Sequence, residues 1–275
     1  MIILRIAGGL GNQLFQYSAA KLLNNKKGSN ILIDIEGLRK YEIIRNFELK
    51  KVIKFKNNNI ISNKYKYIID LRLPIKFSFK IKNWPLISDS NYVYNYYNGN
   101  NNPIIIMDGY FQDINQEIFE KMYNIIKDDF INENNNNNIN ISDDKCIIHI
   151  RGNDFIKIGW NEVANANYYK KAINIMKEKY LIDQFDFVTD DVNYAKYIIN
   201  RCNININSKL YCNDDSIRDF YLIGQYKKRI LSSSTFAIWA SMFGYNKDDE
   251  IVICPEKLTP EKYRKFKIRN EIDIT

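Results

Sequence analysis

Histidine occurs once in these 275 residues, as His149, two places before Arg151 and five before Asp154 in the run HIRGND. The run follows the apolar residues CII, so the three side chains fall at the C-terminal end of a buried strand. Arg151 offers a planar fork that suits a diphosphate. Asp154 can orient that arginine or touch a sugar hydroxyl. The bland reading is a satisfied core histidine beside a structural ion pair.

Three more sets share this placement. In AGGLGNQLFQY, residues 7–17, Gly9 and Gly11 fill two positions of a dinucleotide fingerprint, but Leu14 stands at the third and no Gly-Lys-Ser/Thr follows. Glycines there let a ligand approach amides at a helix N-terminus; the alternative is a tight turn with Asn12 as the helix N-cap. FVTDD, residues 187–191, ends a strand on Asp190 and Asp191. They can accept from a base edge or a ribose, or cap the helix that follows, and without context the cap is favoured. LSSSTF, residues 231–236, sets Ser233, Ser234, Thr235 and Phe236 at a strand-to-helix junction. Hydroxyls and free amides there make an anion site, with ordinary capping as the alternative.

The elements needed to carry these sets can be read from periodicity. A strand at 2–6, a helix at 13–23 and a strand at 30–35 open a parallel βαβ unit, closed by a strand at 104–111 and a helix at 114–130. The stretch 40–100, rich in Tyr and Lys, yields no clear assignment. Residues 132–144, NENNNNNINISDD, are too polar to join a core and read as a linker. Beyond them strands at 146–150, 185–189, 208–212, 229–233 and 250–254 alternate with helices at 167–180, 192–200, 216–227 and 235–244. The expectation is α/β: two Rossmann-like domains, 1–131 and 145–275, facing a cleft at the C-terminal ends of their strands.

Composition narrows the function. With 45% hydrophobic and 26% charged residues the chain fits a soluble globular protein of one or two domains. No apolar run reaches the length of a membrane span, and the start lacks the basic region of a signal peptide, so a cytoplasmic protein is expected. Cys146, Cys202, Cys212 and Cys254 form no CxxC pair, which speaks against zinc and for buried, inert thiols. The net charge of +8 fits an anionic substrate such as a nucleotide-sugar, a membrane surface, or simple compositional drift. Lysines scattered among carboxylates argue against nucleic-acid binding.

GGLGNQLFQYS at the start, MDGYFQD at 107–113, HIRGNDF, FVTDD and then DFYLIGQYKKRILSSSTFAIWASMFG occur in an order that resembles the bacterial α-1,2-fucosyltransferases. The resemblance runs from Ile3 to about Pro255, except for 40–100. It implies the GT-B arrangement, GDP-fucose as donor, inversion at the fucose anomeric carbon, and no required metal or other cofactor. By carry-over 1–131 is the acceptor side and 145–275 binds the nucleotide-sugar. His149 and Asp190, with Asp191 beside it, face the guanine or ribose. Arg151 and the turn of Ser233, Ser234, Thr235 and Phe236 hold the diphosphate. Gly11, Asn12 and Gln13 approach from the first domain, near the reacting hydroxyl, and Gly9, Gly11 and Gln13 are expected among the donor-binding residues. Arg151, Asn12 and Asp154 form the catalytic set, Asp154 being either a base or the partner that locks Arg151. The acceptor is an oligosaccharide or lipid-linked glycan, with peripheral contact at the inner face of a membrane left open.

The family motif reads His-x-Arg-Arg-x-Asp; here Gly152 replaces the second arginine and Asn153 the usual glycine. Lys157 is a candidate substitute for the missing charge. The departure motivates an alternative, a relative that binds nucleotide or glycan without transfer. Gly9 and Gly11 with Asp34, which ends the second strand, motivate another: a dinucleotide oxidoreductase.

Overall fold

The computed structural model describes residues 1–35, 38, 45–55, 59–61, 84–99, 101–131, 142–204, 208–244 and 249–274. The chain divides into two units, Met1–Ile131 and Asn132–Thr275. Most of the Asn-rich linker expected at 132–144 lies outside the described residues, as does much of 40–100.

The first unit runs β1 (Ile2–Arg5), α1 (Leu10–Asn25), β2 (Ile31–Asp34), α2 (Leu49–Val52), β3 (Asn59–Ile61), β4 (Leu86–Ile87), α3 (Tyr92–Asn98), β5 (Ile105–Met107) and α4 (Gln116–Ile126). The strands form a parallel sheet in the order β3-β2-β1-β5-β4. β1 and β2 are almost wholly apolar because helices of a parallel sheet cover both faces. α1 is buried nearly all round, including Gln13, Gln16 and Ser18, so its polar side chains must find partners inside the unit.

The second unit runs β6 (Lys145–Ile150), α5 (Asp154–Lys157), α6 (Ala166–Tyr180), β7 (Gln184–Thr189), α7 (Val192–Arg201), β8 (Leu210–Tyr211), α8 (Ser216–Gln225), β9 (Lys228–Ile230), α9 (Thr235–Phe243), β10 (Ile251–Ile253), β11 (Lys257–Thr259) and β12 (Lys262–Tyr263). Its parallel sheet has the order β10-β9-β6-β7-β8, and β11 pairs antiparallel with β12. Its longer helices start on side-chain caps: Asn165 for α6, Asp191 for α7, Asp215 for α8 and Ser234 for α9. Each cap satisfies an amide that the first helical turn leaves open.

Three expectations are corrected. The strand expected at 104–111 stops at Met107, because the Asp89 carboxylate takes the N–H groups of Tyr110 and Phe111 and turns the chain, with Phe111 at φ 54°. The helix expected at 13–23 starts at Leu10 with Gly9 as its N-cap, so Asn12 lies within the first turn and is not the N-cap residue. Cys212 is exposed; the other three thiols are buried as expected. Among the described residues, no helix is long and apolar enough to cross a membrane.

Candidate active site

β1 and β6 are the central strands of their sheets, each at the point where strand order reverses. Open α/β sheets take ligands beyond the carboxyl ends of strands at such switch points. GGLGNQ leads from the turn after β1 into α1, and HIRGND runs over the carboxyl end of β6, so both stand where the topology favours a site.

In the second unit the side chains converge on Arg151. Its Nη2 donates to Asp154 Oδ1 and its Nη1 to Asp190 Oδ2, each at 2.7 Å. The guanidinium lies 5.3 Å from the Phe155 ring centroid, and Phe155 meets Trp160 edge to face. Its Nε is buried without a hydrogen-bond partner among the described residues. Asp154 is thus an ion-pair partner of Arg151.

His149 is 4% exposed. Its Nδ1 lies 2.9 Å from Ser232 Oγ, and its ring centroid is 5.9 Å from that of Phe236. Burial first, and then the charge of Arg151, pushes its pKa down to about 3. The ring is neutral at ordinary pH and suits a hydrogen-bonding role better than proton transfer.

The α9 N-terminus completes the set. Ser234 Oγ accepts from Phe236 N at 3.3 Å, and Ser232 Oγ accepts from Ser234 N at 3.3 Å. Ser233 Oγ is buried and has no partner among the described residues. Capping and an anion site are thus compatible: Ser234 caps while the Ser233 hydroxyl stays uncommitted. Asp190 and Asp191 contact the turn after Arg151, and Asp191 also caps α7 through Tyr194 N at 3.0 Å. Asp219, on α8, was not singled out from sequence. Burial above all raises its pKa to about 6, with Asp190 and Asp215 adding to the rise against the hydrogen bond from Asn213.

The loop after β1 is built differently. Gly8 sits at φ 77°, and a Cβ there would lie 2.4 Å from Asn12 Nδ2, so only glycine suits the turn. Asn12 Oδ1 accepts from Gln112 Nε2 at 2.9 Å, which ties the MDGYFQD segment to the first turn of α1. Gly11 is buried inside that turn, and Gly9, the N-cap of α1, has no side chain with which to accept from the leading amides. Gln13 corrects the expectation of a ligand contact. It is fully buried, donates to Gly8 O and Asn46 O, and accepts from Glu48 N and Leu49 N. An amide with four backbone partners has no capacity left for a ligand. Asp34, on which the oxidoreductase alternative relied, pairs with Arg5 at 3.5 Å.

Sequence reasoning missed Ser232, Phe155, Asp219, Gln112 and Asp89. Ser232 and Asp219 lay within quoted motifs, but nothing local marked them; Gln112 and Asp89 matter only through partners distant in sequence.

Solved structures share this fold. A fucosyltransferase NodZ from Bradyrhizobium superposes with a TM-score of 0.54 at 11% identity, covering 88% of this chain and 91% of that one. A structure described as NodZ alpha-1,6-fucosyltransferase soaked with GDP-fucose gives 0.54 at 14% identity, covering 88% and 92%. The fold is thus the GT-B type of the sugar transferases. The family model described as Glycosyl transferase family 11 matches residues 1–271, and the chain belongs to that family. Membership makes it a glycosyltransferase and overturns the oxidoreductase alternative. Two Escherichia coli relatives are similar over nearly their full lengths. An alpha-1,2-colitosyltransferase is 24% identical, over 93% of this chain and 91% of the relative. The O-antigen biosynthesis glycosyltransferase WbnK is 25% identical, over 92% and 93%.

Proposed function

We propose that this glycosyltransferase moves fucose from GDP-fucose to the 2-hydroxyl of a galactose-type unit in a glycan acceptor, with inversion and without a required metal. The observation that carries the reading is Arg151, fixed between Asp154 and Asp190 at a switch point, with its Nε and the Ser233 hydroxyl both lacking a hydrogen-bond partner among the described residues. Breaking the sugar–oxygen bond puts negative charge on the leaving diphosphate. A pre-set guanidinium and a helix N-terminus stabilise that charge without reorganising. The sugar becomes oxocarbenium-like, as in other glycosyl transfers. With Asp154 held on Arg151, a largely dissociative reaction asks little of a base.

In this reading the second unit takes the donor and the first takes an oligosaccharide or lipid-linked acceptor. Work in the cytoplasm, at the inner face of a membrane, belongs to the same proposal, and the net charge of +8 is compatible with it. A second reading keeps the chemistry and changes the sugar: one relative is named a colitosyltransferase, and Gly152 departs from the motif beside the diphosphate site.

Incubation with GDP-fucose or GDP-colitose and a lactose-type acceptor separates these readings. GDP release with a new trisaccharide is expected from GDP-fucose. Product from GDP-colitose alone selects the second reading, and GDP binding with no product from either identifies a non-transferring relative. A new linkage other than α-1,2, read by NMR, overturns the regiochemistry.

A further inference from the structure

Asp190 and Asp191, which follow β7, read from sequence as nucleotide contacts or as a helix cap. The geometry points to another role: we propose that both are positioning residues, which mould the 151–153 turn and through it fix the Arg151 guanidinium. This rests on the reading that Arg151 meets the leaving diphosphate.

Each of the four carboxylate oxygens has a partner. Asp190 Oδ1 accepts from Gly152 N at 2.8 Å and its Oδ2 from Arg151 Nη1 at 2.7 Å. Asp191 Oδ2 accepts from Asn153 N at 3.2 Å and its Oδ1 from Tyr194 N at 3.0 Å. The Asn153 side-chain amide donates to the Asp190 carbonyl. Thr189 Oγ1 braces the pair, accepting from Asp191 N at 3.0 Å and donating to Asp191 O at 3.1 Å.

The turn's shape needs this support. Asn153 holds φ 38°, which a non-glycine residue keeps only when its surroundings over-determine it. With ψ at −109° it also lies outside the left-handed helical basin that asparagine tolerates, in a region that favours the glycine of the family motif. Gly152 is equally constrained, by contact instead of by φ. A Cβ there would lie 2.4 Å from Asp191 Cβ, so Asp191 fills the space where the family's second arginine would begin. Gly152, Asn153 and Asp191 thus form one interlocking unit, and this chain's departure from the motif is built into its packing.

The test combines a donor-free measurement with kinetics. In native protein, hydrogen exchange should show the Gly152 and Asn153 amides protected. Asp190→Ala should expose the first, and Asp191→Ser, whose hydroxyl can still cap α7 but is too short to reach Asn153, the second. Unchanged protection in both variants overturns the proposal. Because a misplacement of about 1 Å in a reacting group costs on the order of a hundredfold, Asp190→Ala should lower kcat by about ten- to a hundredfold, and it should weaken GDP binding no more than Arg151→Ala does. In an Arg151→Ala background the same change should alter the remaining kcat by less than about twofold, because both act through one group. Losses that multiply, or weakened GDP binding with kcat intact, would return Asp190 to the nucleotide pocket and overturn the proposal. Asp190→Asn, which keeps an oxygen for Gly152 N, carries the same comparisons should the alanine variant not fold. If the native enzyme transfers from no GDP-sugar, the functional reading fails, while the exchange result still decides whether the aspartates hold the turn.

Discussion

The loops after β1 and β6 occupy the same place in two similar sheets and are stabilised by opposite means. After β1 the polar groups are neutral amides; Gln13 is matched to four backbone groups and Asn12 is tied to Gln112. After β6 they are charged: one arginine between two aspartates, its Nε, like the Ser233 hydroxyl, without a hydrogen-bond partner among the described residues. The Gln13 side-chain amide is fully matched within the protein, which suits a shaping role. The charged loop holds donors in reserve, which suits charge that appears only during reaction.

The sharpest way to break this contrast is to remove the arginine. Arg151→Ala should lower kcat by about a hundred- to a thousandfold, roughly 3–4 kcal/mol, with melting temperature little changed. Arg151→Lys should recover little, since an ammonium cannot reproduce a planar fork held between two carboxylates. Near-native turnover by folded Arg151→Ala would move the diphosphate site elsewhere.

At the other loop the same truncation should affect stability instead. Gln13→Ala strands buried groups at Gly8, Asn46, Glu48 and Leu49 and should cost about 3 kcal/mol in denaturant unfolding, with GDP affinity of the folded protein unchanged. Asn12→Ala, at a half-buried position, should cost less than about 1 kcal/mol and show in transfer instead. A stable Gln13→Ala that fails to bind GDP would erase the distinction.

Restoring the family's second arginine sharpens the comparison further. Gly152→Arg places a Cβ against Asp191, an overpacking that should cost about 1–3 kcal/mol and lower activity instead of tightening donor binding. Tighter GDP binding, measured by calorimetry, would show that the turn yields easily. Lys157 is exposed on α5, and its removal should have the same small effect in both backgrounds if it is only a solvated charge.

The smallest effect concerns Asp219, whose pKa is raised from 3.8 to about 6. Folding holds its proton more tightly than the unfolded chain does, so its carboxylate penalises the native state above about pH 6, and the penalty fades as pH falls toward 4. Asp219→Asn should therefore stabilise the protein at pH 8 by on the order of 1 kcal/mol, allowing for solvent screening, and do almost nothing near pH 4. A gain of equal size at both pH values would assign the effect to packing rather than charge.

What the sequence determined by itself was local. The alternation of strands and helices in 145–254 was legible because each element carries its own apolar period and its own cap, as Asp191 and Ser234 show. The placement of Arg151, His149 and Ser233 at strand ends followed from the same pattern. Where an element was short or its period mixed, as with β3, β4 and α3, the sequence offered no reading. Only the tertiary structure decided which polar groups are committed. Arg151 meets Asp190 because β6 and β7 are neighbours in register, His149 beside Val188 and Ile150 beside Thr189. Gln13 is removed from the list of ligand contacts by backbone 33 to 36 residues away, and Gly152 is required because Asp191 packs against it. Such pairings depend on which strands lie side by side, a property of the folded sheet that no local pattern of residues encodes.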